Sequence, residues 1–115
     1  MKRGDVVLID FPFSDRTGSK LRPALVVQDD AVTAARDDVI LAAISRTQRF
    51  PNTEVVIDPS TPEGQRTGLR QMSVVDCALL GTFDQMLIKH TLGSVSTSLM
   101  ELIDGRLQVA LGFVK

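Results

Sequence analysis

Arg22 stands in the run Lys20-Leu21-Arg22-Pro23-Ala24-Leu25-Val26-Val27, at the mouth of an almost unbroken apolar stretch. Pro23 fixes its own φ near −65° and pushes the residue before it into an extended conformation. The arginine therefore leaves the chain in a defined direction where the chain enters the core. A guanidinium held that way suits a phosphate, because its planar fork of donors stays charged at any working pH. Six further cations lie nearby in the windows 14–22, 44–50 and 62–71: Arg16, Lys20, Arg46, Arg49, Arg66 and Arg70. Only Asp15 and Glu63 oppose them in those windows. If the three segments meet in space, they form a basic face on a body of net charge −1, which is the footprint a polyanion needs. If they stay apart, they are separate solvated loop charges.

Other chemistries are poorly served. One Cys77 and one His90 cannot make a zinc site of the usual kind. Asp10, Asp15 and Asp76 lack the paired spacing of a carboxylate metal site, so no cofactor is expected. His90, within Lys89-His90-Thr91, reads as exposed or locally bonded, although histidine is the side chain best suited to acid–base work near neutrality. A lone cysteine fits a reducing compartment. No apolar run approaches the roughly 18 residues that span a bilayer. The start, Met1-Lys2-Arg3-Gly4-Asp5, meets an acid at once, and Asp10 interrupts the apolar segment behind it, unlike a signal peptide. The expectation is a cytoplasmic protein with no membrane attachment.

The elements that must position these residues are short. At 115 residues the chain reads as one domain, 1–115, with one core. Arg3 to Phe13 reads as a first strand, with Val6, Leu8 and Asp10 on one face and Val7, Ile9 and Phe11 on the other. Pro12 ends it, and Ser14-Asp15-Arg16-Thr17-Gly18-Ser19 is dense in turn formers. Ala24 to Gln28 is apolar on both faces and so reads as a central strand. Ala31 to Arg36 is either a helical turn or a loop. Val39 to Ile44 and Thr53 to Ile57 read as strands, Ser60 to Gly68 as a loop, and Leu69 to Val75 and Leu79 to Phe83 as further strands. The period then changes: Leu99, Met100, Leu102, Ile103, Leu107, Ala110, Leu111 and Val114 recur at helical spacing behind a Ser96 or Thr97 cap. Successive short strands followed by one helix predict a mainly β fold, a small twisted antiparallel barrel with a C-terminal helix packed against it.

Taken in order, these segments resemble the PemK/MazF family of toxins from bacterial toxin–antitoxin modules. The resemblance runs through Arg3-Gly4-Asp5-Val6-Val7 with Asp10, Gly18, Arg22-Pro23-Ala24-Leu25-Val26-Val27-Gln28, and Leu41-Ala42-Ala43-Ile44-Ser45. It ends with Ser73-Val74-Val75-Asp76, Leu92-Gly93 and the C-terminal amphipathic helix. It implies an SH3-like barrel of the PemK/MazF/CcdB type, a homodimer, and an endoribonuclease that cuts single-stranded RNA without metal. It also implies a cognate acidic antitoxin whose partly disordered segment folds across the same groove. Two catalytic positions carry over, the arginine of the Arg-Pro step, Arg22, and the hydroxyl ending the third strand, Ser45. The family more often has threonine there, and Thr47 is a second candidate two residues on. A Glu-Gln pair common in the family is Arg70-Gln71 here. The RNA-contact set expected on this basis is Arg16, Thr17, Gly18, Lys20, Arg46, Arg49, Arg70 and Gln71.

RNA carries its own nucleophile, the 2′-hydroxyl, so cleavage needs positioning, a proton acceptor and charge stabilisation. Arg22 suits the last of these. Serine is a poor base and arginine stays protonated, so the proton acceptor has no assignment from sequence. Two other readings use the same fold: a CcdB-like toxin that poisons a topoisomerase through its C-terminal helix, and a barrel that binds without catalysis.

Overall fold

The computed structural model describes residues 1–10 and 21–114. Among these, six strands form one antiparallel sheet: β1 Asp5–Ile9, β2 Arg22–Val26, β3 Asp38–Ser45, β4 Glu54–Ile57, β5 Ser73–Asp84 and β6 His90–Ser94. Their order is β4-β5-β3-β2-β1-β6. Three helices accompany them, α1 Asp30–Ala35, α2 Pro62–Arg66 and α3 Thr97–Leu111. The sheet curls into a half-barrel with the C-terminal helix against it, the mainly β architecture expected from the sequence.

Burial on both faces of the central strands drives the curl. Leu25, Val6, Ala42, Ile44 and Val75 enter one apolar cluster, completed by Leu99, Ile103 and Leu107 of α3. Ala24, Val26, Val7, Ile9, Leu41 and Ala43 enter a second cluster on the opposite face, with Phe83 and Ile88 packed against it. Fully burying one such aliphatic side chain contributes about 1.5–3 kcal/mol. β2 therefore occupies the inner position that its unbroken apolar run predicts.

Helix α3 is fixed at both ends. Ser96 Oγ accepts from Leu99 N at 3.1 Å and donates to Glu63 Oε2 at 2.9 Å, joining the start of α3 to α2. Gly112, at φ +82°, closes the helix in the left-handed conformation that glycine adopts without a Cβ penalty. The buried face is narrower than the periodic pattern suggests: Leu102 and Leu111 belong to the pattern but remain exposed. The opening Arg3-Gly4-Asp5 has a structural role. Arg3 donates from Nε to Val27 O at 2.8 Å and from Nη2 to Asp104 Oδ1 at 2.7 Å, so it ties the end of β2 to α3.

Several boundaries differ from the sequence expectation. β2 begins at Arg22 rather than Ala24, because Arg22 already pairs with Ile9 in the ladder to β1. β1 is shorter than the predicted Arg3–Phe13, spanning Asp5–Ile9, and the predicted continuation from Phe11 lies outside the described residues. The undecided Ala31–Arg36 segment is helical as far as Ala35, capped by the Asp29 carboxylate and ended by extended Arg36. Within the predicted loop Ser60–Gly68, Thr61 caps and Pro62 starts α2. Residues 69–72 are not strand, and the strand begins at Ser73. β6 has no counterpart in the expectation.

β5 carries an irregularity that matters for the site. Ala42 pairs with Leu80 but Ala43 with Asp76, so the register jumps and residues 77–79 stand unmatched. Such bulges bend a strand and re-aim its side chains. Cys77, within the jump, is fully buried beneath α3, with Sγ 3.8 Å from Ile103 O. Burial first, then the Asp76 charge, pushes its thiol up to about 12. An unfolded thiol ionises near pH 8.5, so between that pH and about 12 only the unfolded chain gives up the proton, and this contribution to stability falls as pH rises. Native protein at pH 8 is expected to resist alkylation by iodoacetamide, measured by mass spectrometry, whereas protein in denaturant reacts fully. Rapid native labelling would contradict the buried placement.

Candidate active site

Antiparallel register brings the ends of separate strands together. β2 and β3 pair Ala24 with Ala43; carried two residues outward, that register sets Arg22 level with Ser45. Residues two apart share a face, so both lie on the face that holds Ala24 and Ala43. The two line one open cleft of about 810 Å³ together with Pro23, Arg46, Thr47, Arg49, Glu54, Arg70, Gln71 and Asp76. Four cations from the three sequence windows, Arg22, Arg46, Arg49 and Arg70, thus converge. Arg66, inside the third window, does not line the cleft. Arg16, Thr17, Gly18 and Lys20 lie outside the described residues.

Each wall has a local cause. Arg22 is half-buried at the start of β2, with Pro23 behind it. Ser45 ends β3, and its hydroxyl donates a long bond, 3.4 Å, to the carbonyl of Thr47. Both candidate hydroxyl residues therefore belong to the cleft, one on a strand and the other in the loop beyond. Arg70 and Gln71 project between two anchors. Leu69 is buried in the core beside the α3 residues, and Ser73 Oγ donates to Gln71 O at 2.8 Å. Thr67, fully buried, donates from Oγ1 to Gly64 O at 2.6 Å and accepts from Leu69 N at 3.2 Å, which fixes the turn leading into this wall.

Two acids also line the cleft, and counting charge by loop windows missed both because they sit on strands. Glu54 of β4 pairs with Asp76 of β5. Glu54 is only 4% exposed, and its Oε1 accepts from Arg49 N at 2.9 Å and Phe50 N at 2.7 Å. Asp76 accepts from Ala78 N at 3.0 Å through Oδ1, at the register jump. His90 is exposed on β6 and away from the cleft lining, as its sequence context suggests. A second concavity of about 500 Å³ is lined by Asp37, Asp38 and Asp84 with a single cation, Arg36. That arginine is already paired with Asp38, Nε to Oδ1 at 2.6 Å. Asp37, Asp38 and Asp84 thus lie apart from the basic cleft.

A curled antiparallel sheet with one terminal helix is also the fold of solved bacterial toxins. A mycobacterial endoribonuclease solved in complex with its cognate antitoxin superposes with a TM-score of 0.80 at 25% identity, covering 100% of this chain and 98% of that one. The Mycobacterium tuberculosis toxin MazF-mt6 gives 0.76 at 23% identity, over 94% and 96% of the two chains. A MazE–MazF crystal structure from Deinococcus radiodurans gives 0.74 at 17% identity, over 97% and 96%. No curated protein matches the chain. Residues 2–111 match the sequence model of the PemK-like, MazF-like toxins of type II toxin–antitoxin systems, and the chain belongs to that family.

Proposed function

We propose that this protein is a metal-independent endoribonuclease toxin that cleaves single-stranded RNA by attack of the 2′-hydroxyl on the adjacent phosphodiester. The observation that carries the reading is the meeting of Arg22 and Ser45 in one cleft with Arg46, Arg49 and Arg70. The cations bind the backbone, and Arg22 donates parallel hydrogen bonds to the non-bridging oxygens as negative charge accumulates there. Ser45, fixed by the end of a strand, donates to a phosphate oxygen or orients the leaving oxygen, and Thr47 is the alternative hydroxyl in that role. The 2′-oxygen–phosphorus bond forms, the phosphorus–5′-oxygen bond breaks, and the 2′-proton leaves to a base while the departing 5′-oxygen gains one. Asp76 is the lining carboxylate placed to take the first proton, since it accepts one backbone amide through Oδ1 whereas Glu54 is engaged by two.

The protein works in the cytoplasm as a homodimer, because one half-barrel offers too shallow a groove for several nucleotides. A cognate acidic antitoxin segment folds over the same cationic cleft and blocks it; the similarity to a toxin solved with its antitoxin supports this partner.

Incubation with a random-sequence single-stranded RNA in excess EDTA is expected to yield fragments ending in 2′,3′-cyclic phosphate, read by mass spectrometry. The same RNA carrying 2′-O-methyl groups throughout is expected to stay intact. Cleavage of the methylated strand, or activity restored only by a divalent cation, would remove the mechanism.

A further inference from the structure

Phe50 is an exposed aromatic on an immobilised backbone. The residue is 67% exposed, yet its main chain is held on both sides. Its N–H is bound by buried Glu54 at 2.7 Å, and its carbonyl accepts from Thr53 N at 3.0 Å in the 3-10 turn that Pro51 begins. The neighbouring Arg49 N is held by the same carboxylate oxygen at 2.9 Å, and Arg49 lines the cleft. An exposed phenylalanine does not stabilise the fold, and a buried carboxylate gripping two loop amides is costly unless the loop must hold its shape. Hydrogen bonds from backbone amides to an ionised carboxylate are among the stronger ones, so the clamp holds the loop as one unit.

We propose that the segment Arg46–Phe50 is a nucleobase subsite, in which Phe50 stacks on an unpaired base of the RNA while Arg49 contacts the neighbouring phosphate. Glu54 acts as a positioning residue that presents both. The inference rests on the RNA-cleaving reading above. The occupant follows from charge and ring together: Phe50 stands outside the cleft lining but next to Arg49 and bound to Glu54, which line it with Arg22, Arg46 and Arg70, and single-stranded RNA offers phosphates and exposed π-faces at one-nucleotide spacing. Stacking on a ring is tolerant of base identity, so the subsite adds affinity and aligns the strand more than it selects sequence.

The test is fluorescence anisotropy with a labelled, uncleavable 2′-O-methyl random-sequence RNA, alongside single-turnover cleavage at saturating RNA. Phe50→Ala is expected to weaken binding by about 5- to 150-fold, the range for loss of one base–aromatic stack, with a smaller fall in the saturated rate. Phe50→Trp is expected to keep wild-type affinity, whereas Phe50→Leu, apolar but without a π-face, binds as weakly as the alanine variant. Glu54→Gln retains a carbonyl acceptor and is expected to bind nearly normally. Glu54→Ala loosens the loop, so that adding Phe50→Ala to it costs little more. Unchanged RNA affinity in Phe50→Ala overturns the proposal, as does full affinity in Phe50→Leu. A loss confined to binding of an acidic antitoxin peptide would overturn it too, since Phe50 would then serve a protein partner. Wild-type protein that neither binds nor cuts RNA would instead refute the nuclease reading, which keeps the two failures distinct.

Discussion

Arg22→Ala is expected to lower the single-turnover rate of RNA cleavage in EDTA by a hundredfold or more while the protein stays folded. Removing one donor aimed at a developing oxyanion typically costs about 3 kcal/mol of barrier, a hundredfold in rate, and a guanidinium supplies two. Arg22→Lys is expected to recover only a small part, because an ammonium cannot offer the parallel fork. Arg66→Ala is the matched control, deleting an equal charge from another of the basic sequence windows but outside the cleft. It is expected to leave the saturated rate unchanged. Half-buried Arg22 starts its strand rather than filling the core, so the change in melting temperature should be small beside the loss of rate. Undiminished cutting by Arg22→Ala removes this residue from the chemistry. If that variant still arrests growth, while substitutions at the exposed Leu111 and Phe113 relieve the arrest, the toxin acts by gripping a protein.

How much of this was legible in the sequence depended on how local the cause was. Burial on two faces shows in the composition of Ala24 to Val27, so the central strand and its arginine were readable. The α3 repeat and its Ser96 cap were readable for the same reason. α2 had its signals, Thr61 as cap with Pro62 and Glu63 in the first turn, but five residues are too few for a period to emerge. β6 is mostly exposed and contains Gly93, so it shows neither alternation nor an apolar run. At the candidate site, the order of motifs pointed to Arg22 and Ser45, which the fold brings into one cleft. It did not point to Glu54, and Asp76, though part of that motif order, gave no sign of its place in the cleft, because their approach depends on register between distant strands, and for Asp76 on the jump between Ala42 and Ala43. No pattern along the chain encodes such a jump.

Gly93→Ala is expected to destabilise this protein strongly through a single added methyl. In sequence, Leu92-Gly93 is one step in a family pattern; in the fold, it marks where two backbones touch. A Cβ on Gly93 would stand 2.2 Å from Arg66 O and 2.7 Å from Thr67 C. Across the same contact, a Cβ on Gly68 would stand 2.2 Å from Leu92 O, and Gly68 holds φ +76°. The turn after α2 is thereby pressed against the edge strand β6, and the chain leaves it through Leu69 into the Arg70–Gln71 wall of the cleft. Neither obstacle is the flexible tip of a side chain, so backbone must move. Overpacking in a tight site costs typically about 1–3 kcal/mol, and a backbone clash belongs at the top of that range or above it. At roughly 4 °C or more per kcal/mol for a domain near this size, a melting temperature at least 10 °C lower is expected by calorimetry. Faster amide exchange in residues 66–71 and weaker RNA cleavage should accompany it. Gly105→Ala provides the opposite sign with the same methyl. Nothing lies within 4 Å of a Cβ there, and alanine in a helix interior is favoured over glycine by about 1 kcal/mol, so that variant should melt higher. A Gly93→Ala protein that melts with the wild type would mean that β6 and the α2 turn do not meet, and that the Arg70–Gln71 wall is held by Leu69 and Ser73 alone.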